Sequence, residues 1–172
     1  ALESAKAIGV VHRAIKPATI MVRGDFDIKV SDFGAAQLAS AEVTQVSRVG
    51  SPAYMSPEQL EDREIDWRSD MYSLGAVLYH LLTGERPFDG ANAYELIQNI
   101  LTAPAPAPST RRAGAPKALD EIVARAMAKT RDERYPSWGE FGAALARLRS
   151  LDGAADLSEA EKFAASRRLK FF

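Results

Sequence analysis

The side chains that could do chemistry are few, and most of them lie near the start of the chain. His12, Arg13 and Lys16 stand close together, and a carboxylate follows at Asp32. The sequence holds no cysteine and two histidines, which excludes disulfides, thiol nucleophiles, thiolate metal sites and multi-histidine metal sites. What remains is a lone carboxylate, which binds Mg²⁺ weakly when no phosphate lies beside it.

Length and composition describe an ordinary folded domain. The 172 residues are 47% hydrophobic and 26% charged, which is enough for a substantial core. Because the net charge is −1, neither nucleic acid nor an anionic membrane is expected as a partner. The apolar run at 74–82 is too short to span a bilayer, and no signal peptide is visible. Together with the lack of cysteine, these features lead us to expect a cytoplasmic protein.

The elements that must position the reactive side chains begin with a helix and a hairpin. The first helix is predicted to end at Gly9, because glycine is common just beyond helix C-termini. Short apolar runs at 20–22 and 27–30 predict a small β-hairpin. Residues 32–54 show little periodicity and are expected to form a long loop.

The rest of the chain is predicted to be helical. Ser56 opens a short helix, and a central buried helix ending at Gly84 is predicted from apolar residues at helical spacing: Met71, Leu74, Val77, Leu78, Leu81 and Leu82. Asn92 caps a helix that reaches about Leu101. The proline-rich stretch 103–118 is expected to be a surface loop.

The last part of the chain carries further helical patterns. One amphipathic stripe consists of Leu119, Ile122, Val123, Ala126 and Met127. Ser137 starts another helix, whose inward residues are expected to be Phe141, Leu145 and Leu148. We expect residues 1–149 to form one domain, and 150–172 to be a linker and a terminal helix or the start of a further domain. The expected fold class is mainly α with one small β-hairpin.

A series of segments, in this order, resembles the motifs of the Ser/Thr protein kinase family and is most similar to bacterial members. Residues 11–21 resemble the catalytic loop, Ser31-Asp32-Phe33-Gly34 the Asp-Phe-Gly element, 50–58 the end of the activation segment, and 70–75 the start of the central helix. The resemblance implies the C-terminal lobe of a protein kinase. The Gly-rich loop and other upper-lobe motifs precede the catalytic loop in this family, so the upper lobe is expected to be absent.

The same resemblance implies that the active site is degenerate. The family's catalytic Asp corresponds to Ala14, and its Mg²⁺-binding Asn corresponds to Thr19. A methyl group cannot accept a proton, and a hydroxyl is a poorer ligand for a hard cation than an amide carbonyl. Lys16 matches a phosphate-contacting lysine, Asp32 the Mg²⁺ ligand, and Met21 an apolar position of the nucleotide site. ATP and Mg²⁺ are therefore not required, and any binding of them is expected to be weak.

Other positions that match the family are expected to be structural. The resemblance implies that His12 packs beneath Phe33 and that Asp70 anchors the backbone of the catalytic loop. It also implies a buried ion pair, with Arg134 bound to Glu58. Arg13 corresponds to the residue that pairs with a phosphate of the activation segment. Ser51 corresponds to a structural hydroxyl.

Three functional hypotheses remain open, of which the last is that the lobe is only a structural spacer before a sensory domain. The first is a pseudokinase-like lobe that docks a protein partner or a second copy over its exposed face, without phosphotransfer. The apolar positions expected on that face are Met21, Phe33 and Leu81. The alternative is a fragment of an authentic ATP-dependent Ser/Thr kinase, inactivated by truncation and an engineered Asp-to-Ala change at Ala14. Thr19 favours the first hypothesis, because an engineered change at Ala14 leaves it unexplained.

Overall fold

The structure is a computed structural model that describes residues 1–24, 27–33 and 52–151, with side chains as far as residue 148. Several predictions fall outside these residues. They concern most of the loop expected over 32–54, including Ser51, and the terminal helix expected within 150–172.

The chain begins with helix α1, Leu2–Ala7, and continues through the 3-10 turn Pro17–Thr19 into a hairpin. Gly9 follows the helix with φ of 72°, a left-handed conformation that glycine adopts at little cost. Strands β1, Ile20–Arg23, and β2, Asp27–Val30, pair antiparallel with Ile20 opposite Val30. The predicted hairpin is confirmed.

Two capped helices follow the segment 34–51. Helix α2, Pro57–Leu60, begins at Ser56, whose backbone N–H donates to Oε1 of Gln59 at 3.0 Å. Helix α3, Trp67–Thr83, is capped by Asp66, whose carboxylate accepts a hydrogen bond from the N–H of Arg68 at 2.7 Å. This helix ends at Gly84 as predicted, with φ of 79°.

Helix α3 is the centre of the molecule and separates two apolar clusters. One cluster packs along the face that carries Tyr72, Ala76 and Tyr79. The other surrounds Met71 and contains Ile122, Ala126, Tyr135, Trp138 and Phe141. The helix therefore buries side chains on both sides, as its nearly continuous apolar sequence predicts.

The C-terminal half packs against α3. It consists of α4, Ala93–Thr102, α5, Pro108–Arg111, α6, Ala118–Ala126, and α7, Trp138–Leu151. The predicted cap of α4 is present, because Oδ1 of Asn92 accepts from the N–H of Glu95 at 3.0 Å. The stripe predicted on α6 is buried as expected, and so is Phe141 of α7.

The prediction of an irregular loop over 103–118 was wrong for its middle part, where α5 forms. Pro108 is buried and occupies the first turn of this helix, a position in which proline loses no helical hydrogen bond. The carboxylate of Asp120 accepts from the backbone N–H of Ser109 at 2.9 Å. A contact with a later helix thus stabilises the turn, and the local sequence carries no sign of it.

The described residues therefore form a mainly helical fold with one two-stranded sheet, which confirms the predicted fold class. Within these residues, no helix has both the length and the apolar character needed to cross a membrane.

Candidate functional site

Asp70, in the first turn of α3, anchors the loop between α1 and β1. Its Oδ2 accepts from the N–H of His12 at 2.8 Å, and its Oδ1 accepts from the N–H of Arg13 at 2.7 Å. The carbonyl oxygen of Arg13 accepts from Nε2 of Gln59 at 2.8 Å. These contacts hold Arg13 at φ of 66°, a conformation that a non-glycine residue adopts only when its surroundings fix it.

Two opposing effects act on the Asp70 carboxyl group. Burial raises its pKa above the ordinary value, while the two backbone hydrogen bonds lower it. Burial is the larger effect, so the pKa of Asp70 is raised overall. A buried carboxylate with two backbone donors is a fixed structural anchor for the loop.

The His12 ring joins this loop to the segment after β2. The ring is fully buried, its Nε2 lies 2.7 Å from the carbonyl oxygen of Ser31, and its Nδ1 accepts from the N–H of Ala14 at 3.2 Å. This arrangement places the ring proton on Nε2. The Phe33 ring packs on the imidazole with 4.5 Å between ring centroids. Because His12 contacts both Ser31 and Phe33, it fixes the position of Asp32, which lies between them in sequence.

Thr19 is turned into the loop itself. Its side chain is buried, and Oγ1 accepts from the N–H of Lys16 at 3.1 Å. The same hydroxyl lies 3.0 Å from the carbonyl oxygens of both Ala14 and Lys16, to which it can donate. The hydroxyl thus closes the loop on its own backbone, whereas Asp32 is exposed.

The residues present match a Mg²⁺ site only in part. Asp32 has an exposed carboxylate whose Oδ2 lies 3.4 Å from the hydroxyl of Ser31, and this carboxylate could serve as one ligand. The Thr19 hydroxyl is occupied by the loop backbone, and Ala14 offers no oxygen in its side chain. No group of three or more metal-ligating side chains occurs among the residues that the structure describes.

A buried ion pair ties α2 to the segment before α7. Two nitrogens of Arg134 donate to the two carboxylate oxygens of Glu58, at 2.7 and 2.8 Å, and the Ser69 hydroxyl donates to the same carboxylate at 2.6 Å. Burial alone would raise the pKa of Glu58, but the hydrogen bonds and charge of Arg134 outweigh it and lower the pKa to about 2. The pair positions α2 beneath the loop that carries Arg13.

Apolar side chains on the hairpin and beside it remain exposed. Met21 and Phe33, both predicted to face a partner, are exposed to 48% and 41%. Leu81 of α3 is half exposed at 50%. Sequence reasoning missed the cross-strand pair Val22 and Ile28, which is also exposed. Alternation along β1 and β2 could have revealed that these two side chains share a face.

Sequence reasoning also missed two polar contacts near the loop. One is the Gln59 bond to the backbone of Arg13, which links residues far apart in sequence. The other joins the Tyr54 hydroxyl to Nδ1 of His80 at 2.6 Å. His80 lies in the last turn of α3 and Tyr54 in the turn Pro52–Tyr54, so no local pattern could have paired them.

Comparison with known proteins agrees with this geometry. Residues 1–138 match the family model described as protein kinase domain. The chain is 41% identical over 164 residues to the Ser/Thr-protein kinase PknH of Mycobacterium tuberculosis, covering 91% of this chain and 26% of PknH. It is 42% identical over 145 residues to the probable Ser/Thr-protein kinase PknB of Bifidobacterium longum, covering 82% of this chain and 21% of PknB.

A solved structure shows the same fold. A double mutant of the kinase domain of PknI from Mycobacterium tuberculosis matches with a TM-score of 0.62 at 27% identity, covering 85% of this chain and 49% of that one. The loop that Asp70 anchors and the Asp-Phe-Gly sequence that follows the hairpin agree with the motif order of protein kinases. The chain belongs to the protein kinase family and is related to bacterial Ser/Thr kinases. It spans about a quarter of the length of these curated relatives.

Proposed function

We propose that this chain is a pseudokinase-like lobe that regulates or docks components of Ser/Thr phosphorylation signalling and does not transfer phosphate. In this proposal residues 1–149 form the docking lobe, and 150–172 are a linker with a terminal helix or the start of a further domain. The cysteine-free sequence suits the reducing cytoplasm, where we expect the protein to act.

The observation that carries the proposal is the pair of residues at positions 14 and 19. Ala14 has no group that can accept a proton from a substrate hydroxyl, and general-base catalysis contributes a factor of roughly 10²–10⁴. The Thr19 hydroxyl bonds to the loop backbone, and a hydroxyl is a poorer ligand for Mg²⁺ than an amide carbonyl. The deficits at these two positions fall on the same reaction.

The exposed apolar side chains support docking as the remaining role. Met21, Val22, Ile28 and Phe33 are exposed on or beside a two-stranded hairpin, an element that needs packing for stability. Folded monomers rarely leave large apolar patches open to water. We therefore propose that a protein partner or a second copy of the chain covers these side chains, with neither nucleic acid nor a membrane as the partner.

A second candidate is a piece of an authentic Ser/Thr kinase whose catalytic Asp has been changed to Ala14. The anchored loop favours it, because Asp70 bonds to the N–H of His12 and the His12 ring bonds to the Ser31 carbonyl, next to Asp32 in sequence. The natural sequence at position 14 separates the two candidates. An Asp there would support the authentic kinase, whereas a natural Ala beside Thr19 supports the pseudokinase.

Calorimetric titration with ATP and Mg²⁺ tests the proposed absence of a working nucleotide site. We expect no heat of binding up to millimolar nucleotide, because Asp32 alone binds Mg²⁺ weakly. The control is the Asp32→Ala variant, which removes the one available carboxylate. Binding in the natural chain that disappears in this variant would overturn the proposal, since it would reveal a functioning metal-nucleotide site.

A further inference from the structure

The hairpin of β1 and β2 leaves the outer edge of β2 open. Within the described part of the chain the sheet has two strands, so each strand pairs on one side only. Three of the four residues of β2, Asp27, Ile28 and Lys29, have exposed side chains. An exposed strand edge presents N–H and C=O groups to which another strand can add.

The hydrogen bonds inside the hairpin determine which backbone groups of β2 point outward. The N–H of Ser31 donates to the carbonyl oxygen of Thr19 at 2.9 Å, in line with the register of the two strands. Hydrogen-bonded pairs alternate with non-bonded pairs along an antiparallel ladder, so the next bonded pair is Lys29 with Met21. Ile28 therefore directs its own N–H and C=O away from β1, towards the open edge.

The residues on either side of Ile28 carry opposite charges. Asp27 precedes it and Lys29 follows it, and both project from the face of the strand opposite to Ile28. When a second β2 strand pairs antiparallel about Ile28, Asp27 of each copy lies opposite Lys29 of the other. Directly opposed charges stabilise a strand pair, whereas an unmatched lysine on an edge discourages pairing. The sequence of β2 is therefore complementary to itself in charge.

The outer edge of β1 lacks this complementarity. The N–H and C=O of Val22 point outward there, because Val22 faces Ile28 in a non-bonded pair. Pairing of two β1 strands about Val22 would place Arg23 opposite Met21 of the second copy, which gives the guanidinium no acid on the added strand. Charge thus favours the edge of β2 over that of β1.

We propose that two copies of the chain associate by antiparallel pairing of their β2 strands about Ile28, which joins the two hairpins into one four-stranded sheet. The proposal rests on the docking role proposed above and identifies the partner as a second copy. In the joined sheet Val22 and Ile28 of both copies share one face, because opposed residues of a ladder project to the same side. These exposed apolar side chains then contact one another instead of water.

Sedimentation equilibrium of the natural polypeptide that contains this sequence measures the association. Because the paired strands are short, we expect a dimer with a dissociation constant of about 10–100 μM. Lys29→Asp places two acids opposite one another on each side of Ile28 and should weaken the dimer about tenfold. Asp27→Lys places two lysines there and should weaken it similarly. A mixture of the two variants should dimerise again, because each strand then opposes acid to lysine.

Ile28→Pro tests the backbone contact. Proline lacks the N–H that would bond to the second copy, and this N–H points away from β1, so the hairpin keeps its hydrogen bonds. We expect the variant to be monomeric at concentrations where the natural protein is a dimer. Val22→Pro is the matched control, since it removes an N–H from the outer edge of β1 and should leave the dimer intact.

Circular dichroism establishes that each variant is folded. Asp27→Lys faces Arg23 within the hairpin, and if it fails to fold, Lys29→Asp and the two proline variants decide the question. A monomeric natural protein, a dimer that survives both Lys29→Asp and Ile28→Pro, or one that Val22→Pro weakens as much as Ile28→Pro would overturn the pairing. The ATP titration does not involve β2, so such a result would leave the absence of a nucleotide site standing.

Discussion

At the scale of single residues, Glu58 and Arg134 form a buried ion pair. Both side chains are almost completely buried, so neither charge can be solvated by water if its partner is lost. Arg134 also donates to the backbone oxygens of Arg68 and Ala128, each at 2.8 Å. One side chain thus connects α2, α3 and the segment before α7.

Replacing Arg134 should therefore be severely destabilising. We expect Arg134→Met to lower the free energy of unfolding by about 3–5 kcal/mol, because it leaves the Glu58 carboxylate buried without a counter-charge. Chemical denaturation measures the change. The matched control is Arg63→Met, which breaks an exposed pair with Glu61 and should cost less than about 1 kcal/mol. Similar losses of unfolding free energy in both variants would show that burial does not determine how much an ion pair contributes to stability.

The same pair predicts a particular response to acid. The pKa of Glu58 is lowered from 4.5 to about 2, so its contribution to stability is complete above about pH 4.5 and is lost as the pH falls towards 2. We expect stability measured by denaturation to fall across this window in the natural chain. The Glu58→Gln variant should be less stable at neutral pH and should lose less stability across the same window. An equally steep decline of stability in the natural chain and in Glu58→Gln would show that titration of Glu58 is not its cause.

Thr19 makes a residue-scale prediction for the catalytic loop. Thr19→Val removes a hydroxyl that bonds to the backbone of Lys16 and Ala14, and we expect a loss of about 1–3 kcal/mol because those groups become unsatisfied. Thr19→Ser, which keeps the hydroxyl, should lose less. As a control, Thr102→Val removes an exposed hydroxyl that bonds only within its own helix and should have little effect. Chemical denaturation measures the stability of all three variants. A Thr19→Val variant as stable as the natural chain would contradict the role of the hydroxyl.

At the scale of elements, the packing of α3 on α6 depends on the missing side chain of Gly75. A Cβ at this position would lie 2.9 Å from Cγ of Met127 and 3.0 Å from Cβ of Ala126, closer than packed atoms tolerate. The helices therefore approach more closely at Gly75 than any larger residue would allow. Both neighbours are fully buried, which limits their freedom to move away.

Two glycine substitutions of identical chemistry should have opposite effects. We expect Gly75→Ala to destabilise the lobe by about 1–3 kcal/mol through overpacking. Gly142→Ala lies inside α7 with no atom near the new methyl group, and it should stabilise by about 0.5–1 kcal/mol because alanine favours the helix. Thermal unfolding compares the two directly. A Gly75→Ala variant with a higher melting temperature than the natural chain would contradict the close contact at Gly75.

The elements also show what the sequence can predict. Asn92 and the glycine after α3 mark helix ends through local chemistry, and the structure has those ends where the pattern indicates. Helix α5 was missed because its first turn is stabilised by Asp120, a residue of a later helix. The same limit applies to the Gln59–Arg13 and Tyr54–His80 contacts. Long-range hydrogen bonds leave no periodic signal, so they become visible only in the folded chain.

At the scale of the whole molecule, a kinase fold is combined with a catalytic loop that closes on itself. The family relationship follows from the match over residues 1–138, and the anchor contacts of Asp70 give that relationship a structural basis. The proposed loss of phosphotransfer depends on Ala14 and Thr19. The fold and the chemistry are separable, because Asp70, His12 and Gln59 position the loop without any proton acceptor in the side chain at position 14.

The most direct test of the central claim is a phosphotransfer assay with radiolabelled ATP and Mg²⁺, performed on the natural polypeptide that contains this sequence. We predict no incorporation of label above that of the Asp32→Ala variant, and a rise in the double variant Ala14→Asp with Thr19→Asn, which restores the proton acceptor and the metal ligand. Label transferred by the natural protein and lost in Asp32→Ala would contradict the account, because it would show catalysis without either group.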